Sequence, residues 1–166
     1  MKDGTCCVVD SQNPTEIVED ILLNQEWTYQ RVSPFEVAAE VEARWGIYRL
    51  QFYWQEEYDI FHLTCFMDLR VTEKDAHEFY KLLALLNERV LMGHFELFSN
   101  DGIPAYRHSF MLPSSQNTQS ELIEHSIALS LEETDRFYPA FQLVIAGEKT
   151  AKEAASIAIL DTAGEA

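Results

Sequence analysis

The stretch FEVAAEVEARWGIYRLQFYW, residues 35–54, decides the fold because its apolar residues recur at every second position. A period of two is typical of a β-strand with one face buried and the other in solvent. The alternation runs through residues 35–43 and again through residues 48–54. The pattern therefore predicts two strands that reverse at Trp45-Gly46 and form an antiparallel hairpin.

This reversal also predicts the register of the hairpin. Apolar residues then face each other on one side, with the pairs Ala43 with Tyr48, Val41 with Leu50, Ala39 with Phe52 and Val37 with Trp54. The opposite side pairs Glu42 with Arg49 and Glu40 with Gln51, so a single register suits both faces. Trp45 is the weak point, since it is a poor residue for the left-handed conformation that such a turn favours.

A second reversal at Glu56-Glu57 extends the hairpin into a three-stranded antiparallel meander. It places residues opposite each other in the pairs Phe52 with Phe61, Leu50 with Leu63 and Tyr48 with Cys65. A slip of one residue would move the whole apolar set into water, which makes this pattern informative. The meander predicts one buried face, lined by Phe35, Val37, Val41, Leu50, Phe52, Trp54, Phe61, Leu63 and Met67.

Capping signals predict helices on both sides of these strands. Pro14 occupies the first position of the first helix, which is expected to end near Asn24. Pro139 is expected to kink or interrupt the third helix, whose apolar segment resumes over residues 141–146. The four predicted N-caps are Asn13, Thr72, Thr118 and Thr150.

A second hairpin is expected after the helix that begins at Thr72. Gly93 is predicted to terminate that helix in the left-handed conformation. Residues 94–98 and 105–112 then form strands around a turn at residues 100–102. The sequence therefore predicts an α+β fold in the order α-β-β-β-α-β-β-α. Its antiparallel sheet combines the three-stranded meander with the hairpin, helices pack on it, and an extra C-terminal helix follows.

Length and charge limit the possible functions. The 166 residues suit a single domain, which we place at residues 13–166 behind a flexible tail at residues 1–12. A formal net charge of −16 repels nucleic acid and anionic lipid, and it favours basic or mixed-charge protein partners. No signal peptide or membrane-length apolar run is found. We therefore expect a cytoplasmic protein that does not bind nucleic acid or insert into membranes.

The cysteines and acidic residues give no catalytic pattern. Three cysteines form no disulfide framework, although Cys6-Cys7 could bind a soft metal or be oxidised, and Cys65 is expected in the core. Adjacent Glu56 and Glu57 point to opposite sides if they lie in a strand. No glycine-rich phosphate loop and no Gly-x-Ser-x-Gly motif occurs. We expect a chain that is not an enzyme and needs no cofactor.

The second hairpin raises the question of a metal site at His94, Glu96 and His108. A turn centred on Asp101-Gly102 places Glu96 opposite Arg107, as a cross-strand ion pair, and the two histidines on opposite sides. A three-residue loop would instead bring His94 opposite His108. No spaced metal motif supports that alternative, so no metal site is predicted.

The second face of the meander carries apolar residues that a solvated surface rarely needs. The predicted register places Ile60 opposite Tyr53 and Phe66 opposite Ile47, among charged neighbours. Apolar residues rimmed by charge are typical of a protein interface, with another copy or with a client. The alternative is that the last helix covers them.

Several short motifs resemble the YbjN family of bacterial proteins. They are Leu86-Asn87 with Leu91, Gly93-His94-Phe95-Glu96, Asp101-Gly102 with Tyr106-Arg107-His108, DRFYPAF at residues 135–141, and Trp45-Gly46-x-Tyr48-x-Leu50. The resemblance covers nearly the whole chain, from residue 14 onward. It implies an α+β fold like that of type III secretion chaperones, which typically dimerise and bind segments of other proteins without catalysis.

The family is named for sensory transduction regulators and supplies no catalytic residues. The resemblance therefore implies a noncatalytic cytoplasmic homodimer that binds a protein client or regulatory partner. A small-ligand binder or enzyme with a pocket between the sheet and residues 137–141 is the alternative. The residues that match the family motifs, each with a structural role available, are Asn87, Gly93, Phe95, Arg107, Asp135, Arg136, Tyr138 and Pro139.

Overall fold

A computed structural model describes residues 13–113 and 115–163, with side chains up to residue 158. The predicted tail at residues 1–12, with Cys6 and Cys7, lies outside the described residues. The elements in chain order are α1 (Pro14–Asn24), β1 (Thr28–Ser33), β2 (Glu36–Ala43), β3 (Gly46–Gln55), a 3-10 turn (Glu56–Tyr58), β4 (Ile60–Phe66), α2 (Glu73–Asn87), β5 (His94–Phe98), β6 (Ile103–Met111), α3 (Gln116–Ile145) and α4 (Ala151–Ala163).

All six strands form one antiparallel sheet in the order β1-β2-β3-β4-β6-β5. The predicted α+β class is confirmed, and the meander and the hairpin join through pairing of β4 with β6. Strand β1 was not predicted from the sequence. It pairs with β2 at the sheet edge, and its side chains alternate between exposed and half-buried positions.

The helices pack on the face of the sheet that carries Leu50 and Leu63, which we call the inner face. Both leucines are fully buried, and α1, α2 and α3 contact the strands from this side. Every residue predicted for the buried face of the meander is buried except Phe35, which is 36% exposed. Phe35 lies in the turn between β1 and β2, so the strand begins one residue later than predicted.

Both predicted registers of the meander are wrong by two residues. Val41 faces Tyr48 instead of Leu50, and Phe52 faces Leu63 instead of Phe61. The reason is that the first turn is formed by Arg44 and Trp45, while the second contains the 3-10 turn. A shift of two residues preserves the face of every side chain, so the predicted buried set survives the error.

The helix starts agree with the predicted N-caps at three of four positions. Asn13 accepts the amide of Thr15 through its side chain. Thr150 and Glu153 form a reciprocal capping box at the start of α4. Thr72 is the N-cap residue of α2, and its hydroxyl donates to the Asp75 side chain. Thr118 is not a cap, because α3 begins earlier, with Ser115 as its cap residue. Among the described residues, no helix combines the length and apolar content that crossing a membrane requires.

Gly93 does not terminate α2, which ends six positions earlier at Asn87. It does adopt the predicted left-handed conformation, with φ of +69°. A Cβ atom there would lie 2.5 Å from the Tyr106 hydroxyl and 2.6 Å from the Arg107 carbonyl oxygen. Glycine is therefore required because β6 passes close to the backbone at this point.

Helix α3 continues through Pro139, so of the two predicted effects, a kink or an interruption, the interruption does not occur. Proline has no N–H, so the carbonyl of Asp135, four residues earlier, loses its helical donor. The indole N–H of Trp45 donates to that carbonyl at 2.9 Å. Trp45 does not adopt the left-handed conformation expected of the turn, so it is not a weak point, and its indole docks the hairpin tip on α3.

Candidate protein-binding face

The face opposite the helices, which we call the open face, carries the outward side chains of all six strands. Helix α4 packs on α2 and α3 rather than across the sheet. The sequence had left open whether this last helix covers the second face, and within the described part of the chain it does not. Ile47 is 53% exposed and Tyr53 is 42% exposed, as expected for side chains that no helix covers.

The four predicted interface residues, Ile47, Tyr53, Ile60 and Phe66, all lie on the open face. Their predicted cross-strand pairs are wrong, because the register shift places Ile60 opposite Gln55 and Phe66 opposite Arg49. Ile60 and Phe66 are half-buried, whereas the other two are exposed. The register therefore places Ile47 and Phe66 towards one end of β3 and β4, and Tyr53 and Ile60 towards the other end, instead of forming two direct pairs.

Aromatic packing fixes the side chains of this face in place. The Phe66 ring lies 5.1 Å from that of Phe98, and the Arg49 guanidinium lies 5.0 Å from the Phe66 ring centre. Tyr53 stacks on His62 at 5.8 Å. Ordered side chains lower the entropy cost of binding a partner, which suits a recognition surface.

His62 at the centre of the face has hydrogen-bond partners for both ring nitrogens. Nδ1 lies 2.8 Å from the Ser109 hydroxyl, and Nε2 lies 3.1 Å from the Gln55 side-chain oxygen. Burial, and then the nearby Arg107 guanidinium, lower the pKa of His62 below its ordinary value. The ring is therefore neutral at neutral pH and serves as a platform for Tyr53 rather than as a charged group.

The charges of the open face are close to balanced. Its strands contribute four carboxylates and two guanidinium groups, from Glu36, Glu40, Glu42, Glu96, Arg49 and Arg107. The formal net charge of these side chains is −2, compared with −16 for the whole chain. The predicted ion pair of Glu96 with Arg107 is confirmed at 3.3 Å, although the register places Arg107 opposite His94. A partner meets far less repulsion on this face than on the remainder of the molecule.

A groove of about 470 Å³ lies at one end of the open face. Ile47, Phe66 and Ile103 provide its apolar surface, and Arg49 and Arg70 add two cationic side chains. No pattern in the sequence predicts this groove. Its walls join β3 and β6 to the segment after β4, and no short-range pattern brings these three parts together.

The histidines of the second hairpin do not converge on a metal site. His94 lies on the open face opposite Arg107, and His108 lies on the inner face opposite Leu63. The alternative register that paired the two histidines is therefore wrong. Among the described residues, no three His, Cys, Asp or Glu side chains are placed to hold a metal ion.

The family-motif residues at the second hairpin have structural contacts. The Asn87 amide donates to the carbonyl of Phe95 at 3.0 Å and accepts its N–H at 2.7 Å, as a neighbouring strand would. This side chain blocks the β5 edge against pairing with another strand. Tyr106 donates to the carbonyl of Met92, beside Gly93.

The motif residues of α3 attach it to the meander. Asp135 accepts the Tyr48 hydroxyl at 2.7 Å, and Tyr138 stacks on Trp45 with ring centres 6.2 Å apart. Burial, and then the bond to Asp135, raise the pKa of Tyr48 far above its ordinary value. Arg136 lies over the ring of its neighbour Phe137 at 4.7 Å.

Side chains fill the space between the sheet and residues 137–141, where the alternative reading placed a pocket. Phe137 and Phe141 are fully buried, and both pack edge-on against Phe95 at 5.5 and 5.2 Å.

Cys65 is also fully buried, and burial raises the pKa of its thiol to about 12. A protonated, inaccessible thiol is a core residue rather than a nucleophile.

Comparison with family models identifies the family. The model described as "YbjN: Putative bacterial sensory transduction regulator" matches residues 14–143. Comparison with the curated proteins and with the solved structures gives no match. The matched range includes the open face and all the motif residues described above.

Proposed function

The chain belongs to the YbjN family, and we propose that it is a noncatalytic cytoplasmic module that regulates a process by binding a segment of another protein on its open face. The description of the family as a sensory transduction regulator supports a regulatory role. The likeness to type III secretion chaperones, which the sequence motifs implied, is part of this proposal.

The observation that carries the proposal is a sheet face that no described helix covers and that exposes large apolar side chains. Ile47, Tyr53 and Met111 on this face are 53%, 42% and 71% exposed. Burying one large apolar side chain contributes about 1.5–3 kcal/mol, so a few such residues suffice to drive association. Glutamates and arginines surround them, as in the polar rim of a protein interface.

The experiment is a quantitative pull-down from lysate of the source organism with the wild type and Ile60→Glu. A charge at this half-buried position of the open face is expected to abolish retention of the partner, because the carboxylate would be desolvated in the interface. Leu91→Glu is the matched control, since Leu91 is 91% exposed outside the strands and should leave retention unchanged. Equal retention by both variants would contradict the choice of face.

Self-association through the same face is the second part of the proposal. Two copies of charge −16 repel each other, and the nearly balanced open face is where that repulsion is weakest. A two-fold contact requires both charge signs on one patch, which Arg49 and Glu40 supply. Analytical ultracentrifugation should show a dimer that Ile60→Glu converts to a monomer. A wild-type monomer at all accessible concentrations would contradict self-association.

A small-ligand binder is the second candidate function, and the groove on the open face favours it. Its volume of about 470 Å³ lies within the range that small-molecule sites occupy. A thermal-shift screen against metabolites tests this candidate. A reproducible stabilisation that Phe66→Ala removes would favour a ligand site, and its absence would favour protein binding.

A further inference from the structure

The groove on the open face is held in shape by backbone hydrogen bonds between the segment after β4 and the strand β6. The amide of Met67 donates to the carbonyl of Pro104 at 3.1 Å, and that of Val71 donates to Gly102 at 2.8 Å. A Cβ atom on Gly102 would lie 2.4 Å from the Val71 carbonyl oxygen. The groove is thus built before a partner arrives, which reduces the entropy cost of binding.

The surface of the groove suits an apolar side chain. Ile47 and Ile103 stand on the two strands that flank its mouth, and Phe66 lies between them on β4. The Phe66 ring is held by Phe98 on the far side. An aliphatic or aromatic side chain placed here would remove this apolar surface from water.

Two arginines at the same groove have free hydrogen-bonding capacity. Arg49 is the cross-strand partner of Glu40, yet its guanidinium lies over the Phe66 ring instead of forming an ion pair. Within the described residues, no carboxylate oxygen lies within 4.0 Å of the side-chain nitrogens of Arg49 or Arg70. A guanidinium presents donors in a planar fork that matches a carboxylate.

Two acidic residues limit what the groove accepts. Glu40 and Asp68 line it together with the arginines. They would repel a run of acidic residues more strongly than a single carboxylate. The whole chain, at −16, adds to this discrimination against polyanionic partners.

We propose that the groove binds a segment of a partner protein that presents an apolar side chain next to a single carboxylate. The apolar side chain covers Phe66, and the carboxylate accepts hydrogen bonds from Arg49 and Arg70. This inference rests on the proposed function, because it names the chemistry of the segment that the open face recognises.

The test is a nuclear magnetic resonance titration with a capped pentapeptide of sequence Ser-Leu-Glu-Leu-Ser and its counterpart with Gln in place of Glu. The Glu peptide is expected to shift the amide signals of Ile47, Arg49 and Ile103. The Gln peptide should bind at least about tenfold more weakly, since charged hydrogen bonds are worth more than neutral ones. Raising the salt concentration should weaken binding of the Glu peptide more than binding of the Gln peptide.

The matched variants are Arg49→Gln/Arg70→Gln and the control Arg89→Gln/Lys152→Gln, which removes the same charge from exposed sites elsewhere. The groove variant is expected to weaken binding of the Glu peptide about tenfold or more, and the control should not. Equal binding of the two peptides, equal binding by the two variants, or no saturable shift at the groove would each overturn the inference.

Retention of the pull-down partner by the different variants distinguishes failure of this inference from failure of the proposed function. If Arg49→Gln/Arg70→Gln retains the partner that Ile60→Glu loses, the open face binds protein, and the proposal that the groove binds a carboxylate of the partner is wrong. If both variants lose the partner while the Arg89→Gln/Lys152→Gln control keeps it, the inference is supported. If neither the wild type nor any variant retains a partner, the proposed function itself fails.

Discussion

Pro139 leaves the Asp135 carbonyl without its helical donor, and the Trp45 indole supplies one at 2.9 Å. We therefore predict that Trp45→Phe destabilises the protein more in the wild type than in a Pro139→Ala background. Alanine at position 139 restores an N–H that can donate to Asp135, so the indole becomes redundant. The two substitutions should be coupled because they act on the same carbonyl oxygen.

The size of the expected coupling free energy follows from how exposed the hydrogen bond between Trp45 and Asp135 is to water. A net hydrogen bond contributes about 0.5–1.5 kcal/mol, and Trp45 is 39% exposed, so water can replace part of the lost bond. We expect a coupling free energy of about 1 kcal/mol. Phenylalanine retains most of the stacking on Tyr138, whose ring lies 6.2 Å away, and the cycle cancels the packing that it loses.

The assay is urea unfolding followed by far-ultraviolet circular dichroism, which does not depend on tryptophan fluorescence. The control replaces Pro14 by Ala, because Pro14 is the first residue of α1 and deprives no carbonyl of its donor. Trp45→Phe should cost the same with and without Pro14→Ala. A Trp45→Phe cost that is also unchanged by Pro139→Ala, within about 0.3 kcal/mol, would refute the reasoning.

Four further predictions concern stability and reactivity. Asn87→Ala should cost about 2 kcal/mol in urea unfolding because the backbone of Phe95 loses two bonds, whereas Asn117→Ala on the exposed first turn of α3 should be nearly neutral. Gly93→Ala should destabilise by about 2 kcal/mol more than Gly147→Ala, since both have φ near +70° but only Gly93 has atoms within 4 Å of its added Cβ. In a Cys6→Ser/Cys7→Ser variant, the Cys65 thiol should react with a disulfide reagent only as fast as the protein unfolds, and rapid reaction in the native state would contradict its burial. Burial lowers the pKa of His108 in the folded protein. Below the ordinary histidine pKa of about 6.5, the unfolded chain therefore binds more protons than the folded protein. The free energy of unfolding should fall there with decreasing pH, by up to about 1.4 kcal/mol per pH unit. His108→Phe should show a shallower fall in the same interval, and an unchanged slope would exclude a contribution from His108.

Local patterns predicted the elements and the faces of this fold but not the partners across the sheet. The alternation in residues 35–54 decided which side chains are buried, because burial depends only on strand parity. The registers were wrong by two residues, since a turn can move by one position without changing that parity. Strand β1 was missed because an edge strand buries little, and its alternation of exposed and half-buried side chains is weak.

The candidate site could be predicted only in part. Ile47, Tyr53, Ile60 and Phe66 were identified from the sequence, because apolar residues on the second face of a strand are visible in the alternation. The groove beside them was not, because its arginines come from β3 and from the segment after β4. Their meeting depends on how the β5–β6 turn packs against that segment.

The sequence by itself determined the α+β class, the family and the division of each strand into a buried and an exposed side, because these depend on periodicity and on short motifs. Only the tertiary structure decided that α4 lies on the other helices and that no described helix covers the second face of the sheet. It also decided that the Trp45 indole donates to the carbonyl of Asp135, which lacks a helical donor because of Pro139. Trp45 and Asp135 are 90 positions apart in the sequence. Contacts between distant segments depend on the packing of the whole chain, and no local pattern records them.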